Sequence, residues 1–370
     1  MNKKAILVML KTNIHDHKRF KVCMNELRKL AQALNYIVID QIVQTKKRPK
    51  SNYLIGEGKV KEIQKMVKDL DIAKIIFYNI LKSKQKYNIS STTECSVADR
   101  YDLILEIFDI MARDKLSKLQ IEKARLIKNL PLIKLRASKR LKVEHPGARG
   151  RGEYAYKSKI SGVQSKISKI DEEIEKHKRI KEKWLEKRRN LDMPIVCLTG
   201  NYNAGKTTLF NLLTDSEKPV SDTPFTTLTS KYQRLSDRDI LFVDTIGFVI
   251  DIDPKLIGSF ELNLFDMKNA DVILYLLDAS DMFYEMKLKF LTGINILLDI
   301  EIDHKKIIIV LTKSDLVDME DLKTKEDKIR EFFPYKFPQV SISAKESKNV
   351  NELFKKIQYI LLLQDSTNQF

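Results

Sequence analysis

Residues 200–207 read Gly-Asn-Tyr-Asn-Ala-Gly-Lys-Thr, a complete Gly-x-x-x-x-Gly-Lys-Thr loop. The loop follows the apolar run 194–199 and precedes an apolar helical pattern that begins at Thr208, so its predicted context is strand, phosphate loop and helix. Gly200 and Gly205 allow successive backbone N–H groups to point at a β-phosphate, with the positive end of the helix behind them. The stretch therefore predicts an α/β fold with a nucleoside-phosphate site.

The side chains of this loop carry the expected phosphate chemistry. Lys206 is placed to reach the β- and γ-phosphate oxygens, and the Thr207 hydroxyl is a ligand for Mg²⁺. For the loop taken alone, a chance match in a strand-to-helix turn is the alternative. The predicted nucleotide contacts of the loop are Gly200, Asn201, Tyr202, Asn203, Ala204, Gly205, Lys206, Thr207 and Thr208.

A second motif, Asp244-Thr-Ile-Gly247, ends the apolar run 240–243. Asp244 is expected to hold Mg²⁺ through water, while the Gly247 N–H can meet the γ-phosphate. An Asp-x-x-Gly sequence is also a common turn, so the motif gains its meaning from its place after the phosphate loop.

Between these two motifs lies Pro224-Phe-Thr-Thr-Leu-Thr229, where a mobile segment with a Mg²⁺-binding threonine is expected. We predict Thr227 as that ligand, with Thr226 as the alternative, and Phe225 as a further nucleotide contact. A polar β segment without a metal role is the other interpretation.

The last two motifs concern the base. Thr312-Lys-Ser-Asp315 ends an apolar run, and its carboxylate can accept hydrogen bonds from guanine N1–H and the N2 amine, which adenine cannot offer. Thr312 stands where asparagine is commoner, and Ser343-Ala-Lys345 would supply a backbone N–H to guanine O6. The predicted base contacts are Thr312, Lys313, Ser314, Asp315, Ser343, Ala344 and Lys345. Four motifs in this order predict that the chain binds GTP.

The residue after the second motif bears on hydrolysis. Many GTPases position the attacking water with a glutamine there, whereas this chain has Phe248. We expect slow intrinsic turnover that a partner, the backbone or an ion completes. Asn203 is the candidate ligand for a K⁺ ion beside the phosphates, although a role that only stabilises the loop is equally compatible with the sequence.

Positive charge is concentrated before the GTP-binding half, in a chain whose net charge is +17. Residues 1–133 hold 27 Lys and Arg against 14 Asp and Glu, residues 134–190 hold 19 against 8, and residues 191–370 hold 21 against 28. A lysine-rich proteome with solvated surfaces would not produce this asymmetry. It favours a polyanionic partner, and RNA over an anionic membrane because no amphipathic anchor is evident.

Cysteine usage and hydropathy argue against a disulfide-rich secreted protein and against a membrane-spanning protein. Cys23, Cys95 and Cys197 show neither metal-ligand spacing nor a disulfide framework, which is typical of a reducing compartment. No apolar run approaches the roughly 20 residues of a membrane span, and the N-terminus lacks a signal-peptide pattern. We expect a cytoplasmic, monomeric protein without a membrane span.

The periodicities predict three domains. Residues 1–114 alternate strands (5–10, 36–40 and 74–78) with helices (near 20–33 and after Gly58), a small parallel α/β domain. Residues 115–190 predict an antiparallel, coiled-coil-like hairpin, and residues 191–370 a Ras-like P-loop GTPase domain. The predicted hairpin seam pairs Ile160, Val163, Ile167, Ile170 and Ile174 with Leu119, Leu126, Leu130 and Ile133.

The predicted tip of the hairpin, residues 145–153, contains three glycines within six residues. With the cations around it, the tip could enter an RNA crevice, where arginine contacts phosphate or stacks on bases. An ordinary flexible turn with solvated cations is the alternative. The predicted RNA contacts are Lys139, Arg140, Lys142, Arg149, Arg151, Lys157 and Lys159.

Five stretches of the chain resemble those of one known protein family. The specific ones are Tyr53-Leu-Ile-Gly-Glu-Gly-Lys-Val60 and the tip Ala148-Arg-Gly-Arg-Gly-Glu153. The others are Asp99-Arg-Tyr-Asp-Leu-Ile-Leu-Glu-Ile-Phe108, Asn203-Ala-Gly-Lys206 and Asp244-Thr-Ile-Gly-Phe248. On these residues the chain resembles the HflX family of ribosome-associated GTPases over nearly its whole length.

The resemblance implies a GTP- and Mg²⁺-dependent switch that binds the large ribosomal subunit, with the glycine-rich tip near the peptidyl-transferase region. Some members split stalled or idle ribosomes. Two departures qualify this: Arg151 replaces the usual proline, and the chain ends soon after the predicted helix 351–363, as in a compact, archaeal-like form without the extra C-terminal domain. A GTP-gated RNA-binding or remodelling protein and a regulatory scaffold are the alternative functions.

Overall fold

The computed structural model describes most of the chain. It covers residues 3–13, 15–112, 114–144, 151–189, 193–214, 216, 231–235, 239–245, 247–251, 256 and 261–367, and their side chains except at 137–144, 151–156, 188–189, 261–263 and 365–367. The chain forms two compact units, one of residues 1–110 with 115–177 and one of residues 111–114 with 178–370.

A four-stranded parallel sheet forms the centre of the first unit. Its strands are β1 (Lys3–Lys11), β2 (Tyr36–Thr45), β3 (Lys74–Phe77) and β4 (Ser96–Asp99), in the order β2-β1-β3-β4. The helices α1 (His17–Ala33), α2 (Glu57–Leu70), α3 (Ser83–Thr93) and α4 (Arg100–Met111) connect and follow these strands. Residues 5–11 of β1 are buried without alternation, as expected for a parallel strand covered on both faces.

The predicted parallel α/β fold is confirmed here, and the prediction missed three elements. The strand β4 has only four residues, too few for a period to emerge. The helix α3 is rich in serine and threonine, which are weak helix formers. The helix α4 follows β4 directly, so no turn residue marks where it begins.

Two long helices, α5 (Lys115–Glu144) and α6 (Arg151–Arg189), follow the first sheet. Ion pairs from Lys115 to Glu173 at 3.0 Å and from Glu122 to Lys166 show that they run antiparallel, because the partner number falls as the α5 number rises. No helix in the described part of the chain is both long enough and apolar enough to cross a membrane.

The predicted packing stripe of α5 is partly buried in the structure. Leu119, Leu126, Leu130 and Ile133 are only half-buried, whereas the buried apolar side chains of the helix are Ile121, Ala124 and Leu132. The helix α5 also packs on α3, so part of its surface is covered by a neighbour that the hairpin prediction did not include. On α6, Ile170 and Ile174 are buried, and Ile160, Val163 and Ile167 are half-buried.

The second unit contains a six-stranded sheet in the order β10-β9-β8-β5-β7-β6, in which only β6 is antiparallel to its neighbour. The strands are β5 (Ile195–Gly200), β6 (Lys231–Leu235), β7 (Ile240–Asp244), β8 (Val272–Asp278), β9 (Ile307–Thr312) and β10 (Gln339–Ser341). The helices are α7 (Lys206–Thr214), α8 (Glu261–Lys268), α9 (Phe283–Asp299), α10 (Met319–Glu331) and α11 (Val350–Thr367). This is the predicted P-loop GTPase fold, with its apolar strands β5, β8 and β9 fully buried.

Candidate functional site

The four predicted motifs lie at one edge of the six-stranded sheet. The phosphate loop follows β5, the second motif ends β7, the third ends β9 and the fourth follows β10. Strands β5, β7, β8, β9 and β10 run parallel, so their carboxyl ends meet at the same edge. Parallel pairing therefore gathers residues that lie more than 100 positions apart along the chain.

Two glycines give the phosphate loop its path. Gly200 has a φ of +145° and Gly205 a φ of +77°, both in the region that side chains other than hydrogen rarely adopt. A Cβ at Gly200 would also overlap the backbone carbonyl of Leu276 on β8. The loop can leave β5 at this angle only because residue 200 is glycine.

Lys206 lies in the first turn of α7, with its ammonium group held by the loop itself. Its Nζ donates to the carbonyl of Asn201 at 2.7 Å and to that of Gly200 at 3.2 Å. Burial lowers the pKa of Lys206 to about 8, against the opposing attraction of the Asp244 carboxylate. Such a desolvated cation at the mouth of a loop of N–H groups is suited to anionic phosphate oxygens.

Thr207 and Asp244 come together from two elements. The Thr207 hydroxyl lies 3.5 Å from the Asp244 Oδ2, and the Asp244 side chain is fully buried at the end of β7. Oxygen ligands of this kind suit Mg²⁺, which keeps several waters and takes few protein ligands. Within the described ranges no three His, Cys, Asp or Glu side chains converge, so a metal here would rely on this pair, water and phosphate.

The segment Gly247–Phe248 is hydrogen-bonded to the phosphate loop. The Phe248 N–H donates to the Gly200 carbonyl at 2.9 Å, and the Tyr202 N–H donates to the Phe248 carbonyl at 3.1 Å. A Cβ at Gly247 would come within 2.8 Å of the Lys206 Nζ. The Phe248 side chain is buried and has no polar atom with which to orient a water molecule.

The predicted base-binding residues Asp315 and Ser343 also meet. A hydrogen bond from the Ser343 side chain lowers the pKa of Asp315, and the positive charges of Lys345 and Lys313 add to the effect. Lys313, with a φ of +57°, pairs through its Nζ with the Asp278 carboxylate at 2.6 Å. Asp315 is thereby held ionised, in the state that accepts two hydrogen bonds.

Thr312 joins the base motif to the phosphate loop. Its hydroxyl lies 3.0 Å from the carbonyl of Ala204 and 3.0 Å from that of Leu277 on β8. Threonine at the position where asparagine is commoner therefore still reaches the loop. Asn203, the candidate K⁺ ligand, is exposed and has a φ of +60°. The other residues predicted to contact the nucleotide also lie along this edge: Tyr202, Ala204, Thr208, Ser314, Ala344 and Lys345.

Tyr275 is a candidate residue that the sequence did not indicate. Its hydroxyl can donate its single proton in a hydrogen bond to the Lys289 carbonyl, at 2.6 Å. The same hydroxyl lies 3.2 Å from the side-chain amide of Asn201. Because the two ends of an amide exchange by rotation, the Asn201 Nδ2, which has no partner among the described residues, can donate to this hydroxyl. Tyr275 lies inside an apolar strand, so no local pattern sets it apart.

Glycine at position 293 of α9 makes room for this contact. A Cβ there would overlap the Tyr275 hydroxyl, so the ring reaches the phosphate loop only because the helix lacks a side chain at that point. Asn201 in turn presents the carbonyl that holds Lys206. The hydroxyl of Tyr275 is thus two hydrogen bonds away from the ammonium group.

Replacing Tyr275 by phenylalanine is expected to weaken GDP and GTP binding about 3- to 10-fold, since one buried hydrogen bond contributes about 0.5–1.5 kcal/mol. Equilibrium titration with a fluorescent guanine nucleotide measures the change. Tyr359→Phe is the matched control, because Tyr359 is 60% exposed on α11. Equal affinities for wild type and Tyr275→Phe would show that the hydroxyl does not position the loop.

Several predicted residues fall outside the described part of the structure. They are Phe225, Thr226 and Thr227, Arg149, and the side chains of Lys139, Arg140, Lys142 and Arg151. Lys157 and Lys159 are described and lie exposed on α6.

Three protein-family models match the chain in succession. They are described as "GTP-binding GTPase N-terminal" (residues 21–109), "GTP-binding GTPase Middle Region" (residues 111–188) and "50S ribosome-binding GTPase" (residues 195–313). Together they span nearly all of residues 21–313.

Individual relatives agree with these models. The GTPase HflX of Thermofilum pendens is 37% identical over 305 residues, which are 82% of this chain and 72% of that protein. The GTPase HflX of Hyperthermus butylicus is 35% identical over 343 residues, 90% of each chain. Among solved structures, the complex of SsGBP with GDP aligns over 98% of this chain and 99% of that one, with a TM-score of 0.53 and 28% identity.

Proposed function

The chain belongs to the HflX family of GTPases, and from that membership we propose that it is a GTP-driven switch that acts on the large ribosomal subunit in the cytoplasm. It binds GTP and hydrolyses it to GDP and phosphate. The observation that carries the proposal is the convergence of all four motifs at one sheet edge. The first two motifs lie within residues 195–313, the segment that matches a model described as "50S ribosome-binding GTPase", and the third begins at its end.

The proposed hydrolytic roles follow from the geometry. The Lys206 ammonium neutralises charge on the β- and γ-phosphates, and the backbone N–H groups of the loop hold the β-phosphate. Thr207 and Asp244 would hold Mg²⁺, Asp244 through water, with Thr227 or Thr226 as a further ligand; bound Mg²⁺ neutralises charge that develops on the phosphate oxygens. Asp315 accepts from guanine, and the region of Ser343 offers a donor to O6.

Water activation is the part that this site does not complete by itself. The Phe248 side chain is buried and apolar. It therefore cannot make the hydrogen bonds by which a glutamine amide orients the attacking water. We propose that turnover is slow for the isolated protein and that the ribosome supplies the missing contact. Stimulation by large subunits is then a direct consequence of the residue at position 248.

A potassium ion bound by Asn203 is a second way to complete the site. Its exposed side chain and left-handed backbone support a role for its amide oxygen as an ion ligand. We expect GTP hydrolysis about tenfold faster in KCl than in NaCl, which corresponds to about 1.4 kcal/mol in the barrier. Asn203→Ala should remove the preference while GDP still binds. Equal rates of the wild type in the two salts would end the potassium proposal.

The basic half of the chain is proposed to contact ribosomal RNA. In this scheme residues 1–114 and 115–190 form an α/β domain and a hairpin that precede the GTPase domain at 191–370. The tip at 145–153 and the cations Lys139, Arg140, Lys142, Arg149, Arg151, Lys157 and Lys159 approach the RNA. Binding of GTP orders the segments around Thr227 and Gly247, and this biases how the protein binds the subunit. Splitting of idle or stalled ribosomes is the proposed outcome.

Co-sedimentation with purified large subunits tests the proposal. We expect binding with a non-hydrolysable GTP analogue to exceed binding with GDP, and a chain with Gly-Ser in place of residues 145–153 to bind more weakly. Absence of co-sedimentation with either nucleotide would reject the ribosomal role. Binding to naked RNA without subunit binding would favour the RNA-remodelling alternative, and neither kind of binding would favour a regulatory scaffold.

A further inference from the structure

Two loops of the first unit and the first turn of α3 carry six cations at the carboxyl edge of its sheet. Residues 46–56 connect β2 to α2, and residues 78–82 connect β3 to α3. We call the six cations on these loops and on the first turn of α3 the cationic edge. They are Lys46, Lys47, Arg48, Lys50, Lys82 and Lys84.

Hydrogen bonds hold the two loops of the cationic edge together. The buried Gln85 side chain donates to the Lys50 carbonyl at 2.8 Å and accepts from the Lys82 N–H at 2.9 Å. Asn88 donates to the carbonyl of Asn52 at 3.1 Å. Because Gln85 joins the backbone of one cation to that of another, the charges of both loops form one surface.

The longer loop is itself ordered by backbone contacts. Lys50 and Leu54 exchange two N–H to carbonyl bonds of 2.9 and 3.0 Å, and Leu54 adopts a φ of +66°. The Gly56 N–H donates to the Gln44 side chain at 2.8 Å. A surface fixed in this way loses little conformational freedom when it binds a partner.

No carboxylate offsets the charge of the cationic edge within its own segments. Residues 41–56 and 72–93 contain neither aspartate nor glutamate, and Glu57 is the first acidic residue after the longer loop. The two other lysines of residues 72–93 are Lys74 and Lys86, which pair with Glu106 and Asp102. The six cations of the edge form no ion pair with any residue that the structure describes.

We propose that the cationic edge binds the phosphodiester backbone of RNA, as a second contact separate from the hairpin. Five of its cations are exposed, all except the half-buried Lys46, and such groups release counterions when they neutralise phosphates. Ile80 is the one large apolar side chain exposed within residues 46–56 and 78–84. An anionic membrane would need a larger apolar face to insert, so RNA is the better match.

Salt-dependent binding of full-length protein to labelled RNA tests this surface. The probe is an RNA duplex of about 20 base pairs, longer than the roughly 16 that a double-stranded RNA module spans. Combined replacement of Lys47, Arg48 and Lys50 by alanine is expected to lower affinity at least about tenfold. The slope of log K against log salt should become shallower by about 2–3, close to one for each phosphate that the variant no longer neutralises.

A matched control removes the same charge elsewhere on this unit. Lys61, Lys65 and Lys68 are exposed on α2, and their combined replacement by alanine should change affinity less than about twofold. The double variant Lys82→Ala with Lys84→Ala, on the other segment, should weaken binding as well. Thermal unfolding of each variant checks that the fold is intact.

Three outcomes would overturn the inference. The first is an equal loss of RNA affinity in the α2 control variant, and the second is unchanged RNA affinity in both edge variants. The third is that the wild type binds phosphatidylserine vesicles and the edge variants lose this binding while they still bind RNA. The inference rests on the proposed RNA-facing function, yet the two can fail separately. Large-subunit co-sedimentation can fail while the edge still binds RNA, and the edge variants can bind RNA normally while co-sedimentation succeeds.

Discussion

Lys206→Ala is expected to abolish measurable GTP hydrolysis and to weaken GTP binding at least about 100-fold. The ammonium group supplies charge-assisted hydrogen bonds worth about 1.5–3 kcal/mol each to the phosphates, and about 1.4 kcal/mol corresponds to a factor of ten. Its loss also removes one donor from each of the Gly200 and Asn201 carbonyls, which keep the N–H groups of Phe248 and Ala204. Calorimetric titration with GDP and a GTP analogue, together with phosphate release from GTP, measures both effects.

The conservative variant Lys206→Arg separates charge from position. Arginine keeps the positive charge but is larger and carries it in a planar group, so we expect partial binding and little hydrolysis. If Lys206→Ala bound GTP as tightly as the wild type, the phosphates would lie away from residue 206 and the proposed site would be wrong.

The buried position of Lys206 also predicts a pH dependence. Its pKa of about 8 in the folded protein lies below its ordinary value of 10.5, so the unfolded chain binds more protons between these values. Stability without nucleotide should therefore rise as the pH increases from 8 toward 10.5. Phosphate oxygens favour the charged form and raise this pKa, so binding takes up a proton and affinity falls over the same range. Ionisation of guanine lowers affinity equally in wild type and in Lys206→Arg, so the variant should show a smaller fall that lacks the contribution of residue 206.

Asp315→Asn is expected to reverse base selection. GTP affinity should fall about 100- to 1,000-fold, since a carboxylate that accepts two hydrogen bonds is replaced by a group with only one acceptor and the guanine amine loses its partner. Xanthosine triphosphate carries a carbonyl where guanine carries that amine, so the new amide can donate to it. We therefore expect the variant to bind the xanthine nucleotide more tightly than GTP.

The surroundings of Asp315 keep it ionised, as a carboxylate that selects guanine must be. Ser343, Lys345 and Lys313 all lower its pKa, so the wild-type preference for GTP should persist as the pH falls toward the ordinary pKa of a carboxylic acid. Competition between the two nucleotides measures the preference. Asp318→Asn is the matched control, because Asp318 caps α10 through the Asp321 N–H and asparagine caps equally well. An Asp315→Asn variant that still preferred GTP would place base recognition elsewhere.

The fold and the broad outline of the site were predictable because they depend on local patterns. Apolar runs mark β5, β8 and β9, which are buried throughout. Glycine at positions 200 and 205 predicts backbone φ angles that other residues rarely adopt. Polar residues directly after these strands had to meet, since parallel strands end at a common edge.

The remaining contacts depend on how distant elements pack. The Thr312 hydroxyl reaches Ala204 because β8 lies between β5 and β9, an order that no short motif contains. The contact of α5 with α3 was not predicted for a similar reason, since helical periodicity indicates an apolar face without saying which neighbours cover it.

The amino-acid sequence by itself determined the nucleotide, the family and the fold class, because phosphate and guanine recognition reside in short stretches whose backbone geometry is local. Only the tertiary structure decided that Tyr275 supports Asn201, that Ser343 holds Asp315 ionised, and that Gln85 joins the two loops of the cationic edge. Each of these depends on side chains brought within hydrogen-bond distance by strand order and helix packing. The spacing of two residues along the chain does not give their distance in the folded protein.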